Sequence, residues 1–202
     1  MELEELEEKT IMNVAIIGTR YPDQHQERAA RFLAYQLSHY YGCRIKTGGA
    51  YGIDQAAMLG AQVDLLDVYL PWASYNNEII PKGANRIIAD RVRHAAWFES
   101  VGVYHPAPDS LSGGAWALHA RNFGIIQPAK LVIAFPNETG VGGTGQGIRI
   151  AKALNIQVMQ FNKGNGLVHH NQMLLTAVSH LGLTPGAGLI RVIESENIDV
   201  YV

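Results

Sequence analysis

Cysteine, charge and long apolar segments are all scarce in this sequence. Cys43 is the single cysteine among 202 residues, so no internal disulfide can form, which is typical of a reducing cytoplasm. Charged residues make up 17% of the chain and hydrophobic residues 48%, a balance that excludes an intrinsically disordered protein. No apolar run approaches the ~20 residues that cross a bilayer. We therefore expect a cytoplasmic protein without a membrane partner.

The net charge is also small. Lysine and arginine number 16 and aspartate and glutamate 18, which gives a formal charge of −2. The acidic residues are concentrated at the start of the chain, with glutamate at positions 2, 4, 5, 7 and 8. This predicts an acidic tail over residues 1–11, followed by one domain over 12–202. A protein dedicated to long nucleic acids is usually strongly basic, so the charge favours a small nucleotide or a short strand end as ligand.

Glycine, in contrast, is abundant and unevenly placed. The sequence contains 21 glycines without a three-residue period, which excludes a collagen-like chain. Two dense groups lie at residues 48–52 and 140–147. Each follows an apolar run and precedes a helical pattern, so the position of the glycines is more informative than their number.

Apolar runs alternate with helical patterns along the chain. The runs predict strands at 13–17, 44–47, 65–70, 131–135 and 156–161, with further short strands at 101–104 and 189–193. Helical patterns lie at 23–41, 53–61, 84–96, 114–126, 144–154 and 167–181. Strands that are solidly apolar and separated by helices indicate a parallel sheet covered on both faces. The predicted fold is α/β: a Rossmann-like, doubly wound and mostly parallel sheet with helices on both faces.

Three loops of this fold have residues suited to a phosphate. Ligands of open parallel sheets bind at the carboxyl ends of the strands, where glycine lets the backbone come close and a following helix offers unpaired N–H groups. The loops follow the strands predicted at 13–17, 44–47 and 131–135. They supply the candidate phosphate ligands Gly18, Thr19, Arg20, Thr47, Gly48, Gly49, Gly142, Gly143, Thr144 and Gly145. A tight turn would explain any one of these glycine loops equally well.

Other nucleotide sites fit the sequence poorly. The stretch Gly140–Gly145 matches G-x-G-x-x-G, but the dinucleotide fingerprint belongs after the first strand, and this stretch comes late. The sequence lacks the G-x-x-x-x-G-K-[ST] string of P-loop enzymes. It also lacks a spacing of histidine and cysteine typical of a metal site. We therefore expect neither a cofactor nor a metal.

Three segments resemble one protein family. Residues 14–20 (VAIIGTR), residues 47–57 (TGGAYGIDQAA) and the pair Arg121-Asn122 are similar to the DNA-processing protein A (SMF) family. The glycine loop at 142–145 resembles both that family and the lonely-guy (LOG) nucleotide hydrolases. The resemblance implies a Rossmann-like fold that binds nucleotides or single-stranded DNA and often forms a homodimer.

The resemblance also adds site residues. It implies that Asp54, Arg121 and Asn122 contact the ligand; helix capping is the alternative for Asp54, and a solvated helix face the alternative for Arg121. Trp72 and Tyr75 follow the third strand, where their rings would stack on a base or pack on a neighbouring helix.

The same comparison bears on catalysis. The LOG enzymes have a G-G-x-G-T-x-x-E motif with a catalytic glutamate, whereas Gly142–Gly145 continues here into Gln146-Gly147-Ile148-Arg149 without a carboxylate. Cleavage of a glycosidic bond needs a general acid or base at the right place. The sequence therefore favours a nucleotide or single-stranded nucleic-acid binding protein with no assigned catalytic step. The alternatives are a phosphoribohydrolase acting on nucleoside monophosphates and a sensor of a nucleotide-derived signal.

Overall fold

The computed structural model describes residues 11–162 and 170–186. The predicted strand at 189–193, most of the predicted acidic tail and the start of the helix predicted at 167–181 lie outside the described residues. None of the described helices is long and apolar enough to cross a membrane.

Six parallel strands form one sheet in the described part of the chain. They are β1 (Asn13–Gly18), β2 (Arg44–Thr47), β3 (Leu66–Leu70), β4 (Asn85–Ile88), β5 (Leu131–Phe135) and β6 (Gln157–Gln160). Their order in the sheet is β4-β3-β2-β1-β5-β6. Val14 of β1 lies opposite Ile45 of β2 on one side and Leu131 of β5 on the other. Strands β2, β3 and β4 therefore lie on one side of β1, and β5 and β6 lie on the other, so the strand order reverses between β1 and β5.

Helices cover both faces of this sheet. They are α1 (Gln24–His39), α2 (Ile53–Gly60), α3 (Ala95–Tyr104), α4 (Gly113–Ile126), α5 (Gly143–Ala153) and α6 (His170–His180). Along β1, Val14 and Ile16 pack with α1, α2 and α6, while Ala15 and Ile17 pack with α4 and α5. Both faces of the strand are thus buried, as its unbroken apolar run indicates. The predicted α/β fold is confirmed.

Two predictions for residues 84–104 are wrong. The helix predicted at 84–96 is replaced by β4 and a turn, and the strand predicted at 101–104 is the last part of α3. β4 is an edge strand with Asn85, Arg86 and Ile88 exposed, so it lacks the apolar signature of a buried strand. A short apolar run such as 101–104 does not distinguish strand from helix by periodicity.

A buried cluster of charges joins β2, β3 and β4. Asp67 accepts hydrogen bonds from Lys46 at 2.6 Å, from Asn85 at 2.9 Å and from Arg44 at 3.1 Å. Burial alone would raise the pKa of Asp67, but the hydrogen bonds from Lys46 and Asn85 and the two positive charges outweigh burial and hold that pKa below its usual range. In its charged form, the cluster therefore stabilises the register of β2, β3 and β4.

A glycine sets the distance between α3 and α4. A Cβ added to Gly124 of α4 would lie 2.5 Å from the indole ring of Trp97 on α3. Because that ring also stacks on His94 at 3.9 Å, it has neighbours on more than one side. The glycine therefore allows a close helix contact, and this contact positions the helix that carries several site residues.

We predict that Gly124→Ala destabilises the protein. Overpacking of a filled contact costs about 1–3 kcal/mol, whereas alanine alone favours a helix interior by roughly 1 kcal/mol. Gly102→Ala in α3 is the matched control, because a Cβ there meets nothing within 4 Å. Urea denaturation should give Gly124→Ala a free energy of unfolding at least about 1 kcal/mol below that of Gly102→Ala. Equal stabilities of the two variants would show that the Gly124 contact is not tight.

Candidate functional site

A cleft of about 330 Å³ opens at the carboxyl ends of β1 and β5. Its walls are the loop after β1, one face of α4 and the glycine loop that begins α5. This is the place where the strand order reverses, at which doubly wound folds bind their ligands. The cleft thus lies at the position where this topology predicts a ligand.

Nine predicted site residues line this cleft. They are Gly18, Thr19, Arg20, Asp54, Arg121, Asn122, Gly142, Gly143 and Thr144. They come from four segments that are far apart in the sequence. Sequence reasoning missed three polar residues that also line it, namely Tyr21, His119 and Asn137. His119 lies three residues before Asn122 on α4, and that helical spacing is the signal that would have identified it.

The other predicted residues lie outside the cleft. Thr47 is fully buried at the end of β2. Gly49 has a left-handed φ of +68°, and a Cβ there would come within 2.8 Å of Leu70. A Cβ at Gly145 would overlap the carbonyl oxygen of Gly140. The structure thus requires glycine at positions 49 and 145 for packing.

Gly48 has a particular role beneath the cleft. A Cβ at this position would overlap the guanidinium of Arg121, which lies directly against the Gly48 backbone. The glycine therefore makes room for an arginine side chain. Sequence reasoning predicts a phosphate at Gly48, and the structure adds the Arg121 guanidinium against the same backbone.

Arg121 forms the floor of the cleft. Its residue is only 6% exposed, and its Nη2 atom lies 3.9 Å from Oδ2 of Asp54. Its Nε atom is buried and has no hydrogen-bond partner among the described residues. An arginine does not lose its proton in a protein, so a positive charge is held at this depth. A buried charge is costly unless it is compensated, and an anion bound in the cleft beside the guanidinium would lower that cost.

Asp54 is the counter-charge of Arg121. It lies in the first turn of α2, whose N-cap is Gly52, and its Oδ2 accepts a hydrogen bond of 3.2 Å from the N–H of Ala50. Burial raises the pKa of this carboxyl, although Arg121 and the Ala50 N–H act in the opposite direction. The carboxylate is therefore held by the arginine and by its own loop rather than by an N-cap bond.

A second arginine lies at the mouth of the cleft. Arg20 is exposed, and its Nη2 atom donates to the Tyr75 hydroxyl at 3.4 Å. The Tyr75 ring meets the Trp72 ring edge-on, with centroids 5.2 Å apart. Trp72 is 41% exposed. The two predicted stacking residues thus lie beside the cleft, next to Arg20, rather than inside it.

The N-terminus of α5 contributes backbone donors. Gly142 is the N-cap, with a φ of +93° and no side-chain hydrogen bond to the first turn. Gly143 and Thr144 follow it and line the cleft. The first N–H groups of a helix lack partners within the helix and carry its positive dipole end. This helix end is therefore suited to an anion in the same cleft as Arg121.

A chain of hydrogen bonds joins the α4 wall to α5. The amide Nδ2 of Asn122 donates to the Gly143 carbonyl at 3.4 Å and to Oε1 of Gln146 at 2.9 Å. The same Oε1 atom lies 2.7 Å from Nδ1 of His119. Burial lowers the pKa of His119, as do the charges of His105, Arg121 and Arg149, and these effects outweigh the bond to Gln146. The imidazole is therefore neutral at physiological pH.

Metal binding has no support in the part of the chain that the structure describes. No group of three or more histidine, cysteine, aspartate or glutamate side chains lies there in an arrangement that could hold a metal ion. The cleft instead combines two arginines, one amide side chain and an open helix N-terminus, with Asp54 as the one carboxylate among its lining residues. This set of groups is suited to holding an anion.

Comparison with known proteins places this geometry in context. Residues 3–163 match the family model of DNA recombination-mediator protein A. Comparison with curated proteins gave no match. Among solved structures, DNA processing protein A from Helicobacter pylori, described in its single-stranded DNA binding mode, is 20% identical with a TM-score of 0.57, covering 92% of this chain and 80% of that one.

Two further solved structures have a similar fold. DNA processing protein A from Streptococcus pneumoniae is 16% identical with a TM-score of 0.51, covering 93% of this chain and 62% of that one. The molybdenum cofactor binding protein from Rippkaea orientalis is 17% identical with a TM-score of 0.51, covering 93% and 98%. At such identities the structural likeness shows a shared fold.

The family model extends over most of the sequence and includes β1, the Gly48-Gly49 loop, Arg121 and the α5 glycine loop. The chain therefore belongs to the DNA recombination-mediator protein A family.

Proposed function

We propose that this protein binds single-stranded DNA, or a nucleotide, through a phosphate held in the cleft. The observation that carries the proposal is the buried guanidinium of Arg121, whose counter-charge, the Asp54 carboxylate, lies 3.9 Å away. It lines the same cleft as Gly143 and Thr144 at the open N-terminus of α5. The description of the Helicobacter pylori relative as a single-stranded DNA binder supports the choice of ligand.

Charge and position suggest how the phosphate is held. Two arginines line the cleft, Arg121 at the floor and Arg20 at the mouth, against the one carboxylate of Asp54. In the proposed complex, Arg121 and the first N–H groups of α5 contact a phosphate, and Arg20 contacts it or its neighbour along the strand. Arginine is suited to this task because its planar group presents several donors at fixed angles.

The aromatic residues extend the proposed site beyond the cleft. Trp72 and Tyr75 lie beside Arg20, and Trp72 exposes much of its ring. In the proposed complex a base adjacent to the bound phosphate stacks there, which typically contributes about 1–3 kcal/mol per base.

We infer that the site binds its ligand without hydrolysing it. Asp54, the carboxylate among the lining residues, is buried and paired with Arg121. Glu138 is exposed and is not among the lining residues. A phosphoribohydrolase is the alternative, and it predicts release of free adenine from AMP, measured by chromatography. Such release would replace the binding proposal with an enzymatic one.

A sensor of a nucleotide-derived signal is a second alternative. It would use the same cleft, and it predicts tighter binding of a free nucleotide than of a strand.

Assembly and location are proposed from the family alone. The DNA-processing proteins often form dimers, and we propose a cytoplasmic homodimer. Sedimentation equilibrium would measure the mass in solution, and a monomer at all concentrations would contradict the dimer.

We predict that single-stranded DNA binding weakens as the salt concentration rises. Neutralised phosphates release counterions, and two phosphate contacts on a single strand give a slope of about −1.4 in log K against log salt. Fluorescence anisotropy with a labelled deoxythymidine oligonucleotide would measure it, with the matching duplex as control. A flat salt response would contradict phosphate binding.

We also predict that Gly143→Asp abolishes most of the binding, whereas Gly143→Asn does not. Gly143 is the first residue of α5, and a Cβ there approaches only Nδ2 of Asn122, at 3.4 Å. Aspartate is favourable at a helix N-terminus, so the fold is retained. Its charge would reduce the binding free energy of a phosphate by about 1–4 kcal/mol, which lowers the affinity at least about fivefold.

The asparagine variant has nearly the same shape without the charge, and it controls for steric effects. Equal affinities for the two variants would contradict a phosphate at this position, and the salt titration shows whether the loss is electrostatic.

A further inference from the structure

His119 is a cleft residue that phosphate binding does not use. It lies on the face of α4 that also carries Ala115 and Asn122, and all three line the cleft. A phosphate offers only acceptors, and the donors it needs come from Arg20, Arg121 and α5. The role of a neutral imidazole in this wall therefore depends on which of its nitrogens carries the proton.

The hydrogen-bond chain of the α4 wall determines the tautomer. The Gly143 carbonyl can only accept, so the Asn122 atom facing it is the NH2 group. That NH2 also donates to Gln146, which fixes the Gln146 atom as the carbonyl Oε1. Since Oε1 only accepts, Nδ1 of His119 must donate to it at 2.7 Å. The backbone thus fixes His119 as the Nδ1–H tautomer through two amide side chains.

The other ring nitrogen is then an acceptor. In a neutral imidazole with Nδ1–H, Nε2 carries a lone pair. None of the described residues hydrogen-bonds Nε2, and this atom is not fully buried. The His105 ring packs edge-on against the His119 ring, with centroids 4.4 Å apart. Nε2 is therefore open to a hydrogen-bond donor that enters the cleft.

The chemistry of a DNA strand limits which donor this is. Phosphodiesters and deoxyribose within a strand have no hydrogen-bond donors, whereas every base has at least one N–H group. We propose that His119 accepts a hydrogen bond from a nucleobase N–H through Nε2, so that the cleft reads a base as well as a phosphate. This rests on the proposed function. Because all four bases have donors, the contact recognises the presence of an unpaired base rather than its identity.

Thymine provides a clean test, because N3–H is its single donor on the base. We expect wild-type protein to bind an oligonucleotide of N3-methyldeoxythymidine about tenfold more weakly than one of deoxythymidine, since the donor is lost and Nε2 is left unpaired. Fluorescence anisotropy at one salt concentration would measure both affinities.

Variants separate this contact from the effect of the methyl group on stacking. His119→Asn retains an amide near the position of Nδ1 that can donate to Gln146, but it has no Nε2. We expect this variant to bind both oligonucleotides with equal affinity, whereas His119→Gln, which can place an acceptor at the position of Nε2, recovers part of the discrimination. His180→Asn, at an exposed position of α6 that does not line the cleft, is the control for loss of a histidine and should discriminate as the wild type does.

The outcomes are distinguishable. A wild type that binds both oligonucleotides equally, or a His119→Asn variant that still discriminates tenfold, would overturn the role of His119 and leave phosphate binding intact. Failure of the wild type to bind either oligonucleotide would instead overturn the proposed function and the base contact with it.

Discussion

The contact between the Arg121 guanidinium and the backbone of Gly48 is the constraint on which the cleft depends. It brings α4 against the end of β2, and it holds a permanent positive charge next to Asp54 at the floor. A side chain at position 48 would occupy the same space, so the glycine loop and the arginine must occur together. Removal of Asp54 would leave a buried cation without its counter-charge, an arrangement that folded proteins avoid.

The electrostatics of the site follow from this arrangement. Asp54 compensates part of the Arg121 charge at 3.9 Å, which is longer than a close ion pair. An anion in the cleft would compensate the rest of the positive charge and would accept hydrogen bonds from the N-terminus of α5. Meanwhile the chain of Asn122, Gln146 and His119 turns donors toward Gln146 and leaves a nitrogen acceptor on the α4 wall. In the proposed complex, the cleft therefore presents donors to a phosphate and an acceptor to a base.

Strand positions were predictable because buried parallel strands are unbroken apolar runs; the run at 131–135 matches β5 residue for residue. Edge strand β4 was not, since its exposed residues lack that pattern. Motif spacing identified Arg121 and Asn122. It did not show that Gly48 lies under Arg121, because a glycine needed for packing looks the same in sequence as one that approaches a ligand. His119 was missed because its meaning depends on Gln146, 27 positions away.

The most direct test of the account is the structure of this protein bound to a deoxythymidine oligonucleotide. We predict a phosphate within hydrogen-bond distance of the Arg121 guanidinium and of the N–H groups that begin α5, with the Gly48 contact retained. A strand bound on another surface, with the cleft empty, would contradict this prediction.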